Sequence, residues 1–251
     1  MEIVMIGSAK TETMSRVSAC SLLYLFADRV LDPLTDKWRR LALGVPVPSA
    51  DTQVDMFSWA RLLLASAFWG LRTRGLIDLE VVAASTDSRD GFWRRLRRRG
   101  RRTDDVMLHV VGEAPLAGLE EAVMTNLEVG DTISVSTQIG RWLGTPCTDA
   151  VFRVIEAASD EGAALGFCAP VEGSNSSYAR WLDCSAHTCF ESARDRIAAL
   201  EPDLDETVAQ WNAFAAGEPA LCCGLLRTCF DAVRGCQFVA SLNVWDGGYG
   251  F

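Results

Sequence analysis

The densest chemical feature of the chain is a run of arginines. Arg94, Arg95, Arg97, Arg98, Arg99, Arg101 and Arg102 fall within nine positions, directly after Phe92 and Trp93. Guanidiniums stay charged and bond phosphate or carboxylate oxygens in pairs, and rings beside them suit lipid headgroups or nucleobases. The whole chain has a formal net charge of −9, so the remainder is more acidic still and positive charge is concentrated in one stretch. Three readings follow: a solvated surface loop, contact with an anionic membrane, and contact with nucleic acid. The acidic remainder argues against a broad nucleic-acid surface, which ranks that partner below the membrane.

Catalytic residue types are sparse. The two histidines are His109, in an alternating stretch where a structural role is expected, and His187, read as lying in a loop before a helix. No GxSxG, HExxH, Walker A or GxGxxG pattern is present, and GSAKT at 7–11 has the wrong order and spacing for a phosphate loop. Cys184, His187 and Cys189 lack the second ligand pair of a zinc finger. The nine cysteines are odd in number and do not suggest a disulfide scaffold. Cys222, Cys229 and Cys236 recur every seven residues, two helical turns apart. They are expected to be reduced and to line one buried helix face. The chain therefore reads as a binding protein, not an enzyme, with no cofactor implied.

These residues need a scaffold, and the composition supplies one. Of 251 residues 49% are hydrophobic and 23% charged, enough for a large core in one globular domain over 1–251. The expected class is mainly α, a helical body with winged-helix-like units and a small β-hairpin bearing a long basic wing. Apolar spacing predicts helices over 15–30 and 54–74, with turn formers between them and Gly75 as a stop. The second helix is apolar almost all round, which marks it as central. Segments 77–84 and 106–111 alternate apolar and polar residues and are predicted to pair antiparallel across the arginine-rich connection. This completes a first winged-helix-like unit over 15–113.

A second unit, 115–170, begins at Pro115, with helices over 116–128, 134–143 and 149–161. Gly162 is expected to end the third helix, ahead of a short strand at 163–168 and a polar loop at 171–180. In the C-terminal part, 185–240, Thr188 with Glu191 and Asp203 with Glu206 suggest capping boxes for helices near 189–200 and 204–215. A buried closing helix is expected over 221–236 and an irregular tail over 243–251. The longest apolar run, 62–70, is about half the roughly 20 residues a spanning helix needs. The first residues lack the features of a secretory signal, so a cytosolic location is expected.

The order of parts over 62–165 resembles the Golgi phosphoprotein 3-like family of phosphoinositide-binding Golgi adaptors. The resemblance is carried by LLLASAFWGLRTRGLIDLE at 62–80, the basic run, GEAPLAGLEEAV at 112–123, QIGRWLG at 138–144 and FRVIEAASDEG at 152–162. It implies a peripheral protein on the cytosolic face of Golgi-like membranes that sorts membrane cargo. The partners implied are an anionic membrane surface and the cytosolic tails of membrane proteins; a second copy of the chain is also admitted. The family's lipid pocket combines a tryptophan with several arginines. Here Trp59 lies near the tryptophan position and Arg153 is the candidate on the later helix, while Leu62, Leu63 and Leu64 occupy the place of a further arginine. A winged-helix protein that binds nucleic acid or acts as a regulator is the alternative.

Overall fold

The computed structural model describes residues 17–34, 44–50, 52–82, 105–144, 147, 149–170, 187–189 and 194–246. The described chain is mainly helical, with three small antiparallel sheets. It is organised around helix α2, Met56–Thr73. The Asp55 carboxylate accepts the Ser58 N–H at 2.8 Å and caps the helix start. Its end is a Schellman closure, with Gly75 at φ 71°. The Leu76 N–H reaches the Leu71 carbonyl at 3.0 Å, and the Gly75 N–H reaches that of Arg72 at 2.9 Å. Between these stops the helix is buried on most of its circumference, as its sequence predicts.

Helix α1 (Ala19–Leu25) and a following 3-10 turn (Ala27–Arg29) occupy the region predicted as one helix over 15–30. Tyr24 stacks on Trp59 with ring centroids 5.2 Å apart and planes at 11°. A short hairpin, β1 (Gly44–Pro46) with β2 (Gln53–Asp55), forms where turn residues predicted only a loop. Val45 pairs with Val54 in that hairpin, and both are buried.

Strands β3 (Ile77–Val82) and β4 (Asp105–Val110) pair antiparallel as expected, from Ile77 opposite Val110 to Val82 opposite Asp105. Ile77, Leu79, Val106, Leu108 and Val110 turn into the core, while Asp78 and Glu80 face out. A third strand, β5 (Thr132–Ser134), adds to the free edge of β4. Ser134 ends that strand and caps helix α4 (Val135–Leu143), its Oγ accepting the Thr137 N–H at 3.2 Å. On this sheet His109 is only partly exposed. Its Nδ1 lies 2.8 Å from Thr132 Oγ1, and its Nε2 lies 3.9 Å from Glu80.

Helix α3 (Gly118–Met124) and helix α5 (Ala150–Ala164) pack against each other and against α2. Pro115 lies ahead of α3 rather than in its first turn, and Ala117 is the N-cap. Gly162 does not end α5. Helical bonding continues to Ala164, and Gly166 at φ 71° closes the helix through the Phe167 N–H to Gly162 carbonyl bond of 2.8 Å. The strand predicted at 163–168 lies slightly later: β6 (Cys168–Pro170) pairs with β7 (His187–Cys189), so His187 is in a strand, not a loop.

The helix predicted near 189–200 is the short α6, Arg194–Ala198. Helix α7 (Glu201–Gly217) starts earlier than predicted because Pro202 fits its first turn, and Leu200 caps it without a side-chain bond. Helix α8, Pro219–Asp246, is longer than predicted and takes in the first residues of the supposed irregular tail. Cys222, Cys229 and Cys236 are buried in α8, as their spacing predicts. Buried side chains from α1 through α8 form one contiguous core. Among the described residues no helix is long and apolar enough to cross a membrane.

Candidate functional site

A cleft of about 320 Å³ opens where α1, α2, α3, α5 and α7 meet. Two buried carboxylates line it, Glu120 of α3 and Glu161 of α5, at 3% and 8% exposure. Both lie on the inward stripe of an amphipathic helix. Glu161 follows Val151, Val154 and Ala158 at helical spacing, and Glu120 sits between Leu119 and Val123. A charge at such a position needs partners to offset its lost hydration.

Glu161 is fully engaged at the start of α1. Its Oε1 accepts the Ser18 N–H at 3.1 Å, and its Oε2 accepts the Ser18 hydroxyl and the Ser21 hydroxyl, the latter at 2.6 Å. These bonds tie α5 to the positive end of α1. Glu120 is less completely satisfied. The Arg74 guanidinium, from the turn that ends α2, donates to Oε2, whereas no described group donates to Oε1. That oxygen lies against Gly70 of α2, where a Cβ would approach it to 2.7 Å. Glycine is what lets the carboxylate sit so close to α2.

Burial pushes the Glu120 carboxyl up to about 7, with Arg74 opposing the rise and Glu161 adding to it. Cys20 of α1 is fully buried, and its thiol is also pushed up, first by burial and then by Glu120. Asp203, Glu206, Thr207 and Gln210 of α7 add to the polar lining of the cleft, and Val17, Leu22, Trp69 and Leu116 are among its apolar lining. The Trp69 indole is held edge-on by Trp211 of α7, centroids 5.5 Å apart. The arrangement can exchange a proton near neutral pH and accept hydrogen bonds from a cation. Among the described residues, no group of three or more His, Cys, Asp or Glu is placed to hold a metal ion.

The residues singled out from sequence lie elsewhere. Phe92, Trp93 and Arg94, Arg95, Arg97, Arg98, Arg99, Arg101 and Arg102 fall outside the described residues. The chain that carries them leaves the sheet at Val82 and returns at Asp105, and these two residues are paired. Arg153 is exposed on α5, and its Nη1 donates to the Leu143 carbonyl at 2.5 Å, satisfying the end of α4. Trp59 is 0% exposed, enclosed where α2 faces Tyr24. The expectation that Trp59 contacts a lipid headgroup is therefore corrected: its ring is core, and it forms no surface pocket with Arg153.

Neither Glu120 nor Glu161 was singled out from the sequence. Their positions on apolar stripes were the available signal. The fold and cleft together define a mainly helical protein with a buried, incompletely neutralised carboxylate pair. No family model, curated protein or solved structure matches the chain.

Proposed function

We propose that the protein is a peripheral membrane adaptor that binds anionic lipid through the arginine-rich segment and offers its helical body to protein partners. One observation carries the reading. Val82 and Asp105 face each other at the end of the β3–β4 ladder, so all seven arginines belong to a connection tethered at both ends to one point of the sheet. The helix–strand–strand order of α2, β3 and β4 supports a winged-helix-like description of that region. With Trp59 in the core, the lipid is recognised by charge density, not through the headgroup pocket that the resemblance implies. The cytosolic face of a Golgi-like membrane and a role in cargo sorting belong to the same proposal.

The test is sedimentation with vesicles containing phosphatidylserine or a phosphoinositide, against pure phosphatidylcholine and against duplex DNA. Each basic residue near an anionic surface contributes about 1 kcal/mol. Replacing Arg97, Arg98 and Arg99 with alanine should therefore weaken vesicle binding roughly a hundredfold, with little change in melting temperature. Equal binding by the triple variant at physiological salt would remove the segment from the mechanism. Binding to duplex DNA in preference to anionic vesicles would favour the nucleic-acid alternative.

A further inference from the structure

The cleft beside Glu120 has no part in the lipid reading, and its construction points to a ligand of its own. We propose that it binds a small organic amine, a primary ammonium on an apolar body, with Glu120 Oε1 as the principal acceptor. Three observations converge on this chemistry. The first is the carboxylate itself: Glu120 is 3% exposed, lines the cleft and has an oxygen to which no described group donates. That oxygen is open to the cleft on an otherwise buried carboxylate, and an ammonium N–H can donate a charge-assisted bond to it.

The second is the sign of the surroundings. Glu161, Asp203 and Glu206 also line the cleft, and among the described lining residues Arg74 is the sole cationic side chain, already bonded to Glu120. An added anion would meet net repulsion, and a cation net attraction. The third is shape. About 320 Å³ suits a small molecule and is too little for a folded element. Val17, Leu22, Leu116 and Trp69 also line the cleft and offer apolar contact to an alkyl or aryl group, with the Trp69 indole able to add a cation–π contact.

The groups acting on or near Glu120 are Arg74 at the end of α2, Glu161 of α5 and Cys20 of α1, and Asp203 and Glu206 of α7 line the same cleft. Of these and Glu120, Glu120 is the carboxyl raised to about 7. An ammonium selects its ionised form, so binding near neutral pH releases part of a proton to solvent.

The experiment is titration calorimetry of the whole chain with phenethylamine and with cadaverine, using phenylpropionate as the matched anion. Expected results are saturable binding of at least one amine, none of phenylpropionate, and a heat that varies with the buffer's ionisation enthalpy near neutral pH. Glu120→Gln should weaken amine binding at least tenfold and abolish the buffer dependence. Gly70→Ala puts a methyl against Oε1 and should weaken binding while keeping the titrating group. Should Glu120→Gln fail to give the native circular dichroism spectrum, Gly70→Ala and Asp203→Asn carry the same comparison. The proposal is overturned if neither amine binds the folded wild type, if phenylpropionate binds as well as the amines, or if the folded variants bind as the wild type does.

Discussion

Replacing Glu120 with glutamine keeps the side chain's shape and its acceptor for Arg74 but removes its titration. In the unfolded chain the carboxyl titrates near its ordinary 4.5, and in the fold it is held up to about 7 by burial, against the pull of Arg74. Below the lower value it is protonated in both states, so the native state bears no penalty from it. Above the higher value it is ionised in both, and the native state carries the cost of a buried, half-satisfied charge. Stability from this group is thus complete at acid pH and lost as pH rises through 7. At about 1.4 kcal/mol per pH unit between the two values, the loss is about 3 kcal/mol, or roughly 6 °C in melting temperature for a chain of this size.

Urea unfolding of the wild type and of Glu120→Gln at about pH 5 and about pH 8 isolates the effect, because other titrating groups cancel in the difference. The variant should gain about 2–3 kcal/mol on the wild type between the two conditions, since a little of the loss has already occurred at about pH 5. A difference constant to within about 0.5 kcal/mol would show that Glu120 titrates alike in both states and is hydrated through the cleft. A trend of opposite sign would mean that Arg74 outweighs the burial.

Two further outcomes test the core. Cys229 is fully buried and burial raises its thiol, whereas Cys223 on the same helix is exposed, so a thiol reagent should label Cys223 rapidly and Cys229 only as fast as the chain opens, with mass mapping to tell them apart. Trp59→Ala should cost about 3–5 kcal/mol by removing a fully buried ring, and Trp59→Phe clearly less, because among the described residues the indole Nε1 has no hydrogen-bond partner to lose; equal losses in denaturant titrations would argue against the stacked, unbonded ring.

Helix α2, its Gly75 stop and the β3–β4 pair were legible in sequence because each depends on local periodicity and local backbone chemistry. β5 was not, since three residues give no alternation to read and Ser134 also serves as a helix cap. The end of α5 was misplaced because Gly162 and Gly166 are both plausible stops, and packing lets the helix run through the first. Pro202 and the long packing surface of α8 extended two helices beyond their apolar patterns. The site was less legible than the fold. Arg153 has the residue type for phosphate binding, yet it closes a neighbouring helix. Glu120 and Glu121 are adjacent and chemically identical, but only Glu120 is buried. That difference depends on Gly70 and Arg74, some fifty positions earlier in the chain.

Gly224 of α8 lies over the inner face of the β3–β4 ladder, where an added Cβ would meet Val106 Cγ2 at 3.4 Å and Val81 Cγ2 at 3.7 Å. The same helix also packs on α2 and α4. During synthesis the ladder therefore emerges long before the helix that covers it. At ribosomal rates the interval between Val110 and Gly224 is on the order of 10 s, during which a valine-lined sheet face remains open to water and to other nascent chains. The seven arginines encoded between Val82 and Asp105 are synthesised together with that ladder, so every nascent chain carries the same dense positive charge through the interval, and repulsion between like charges disfavours association until α8 docks.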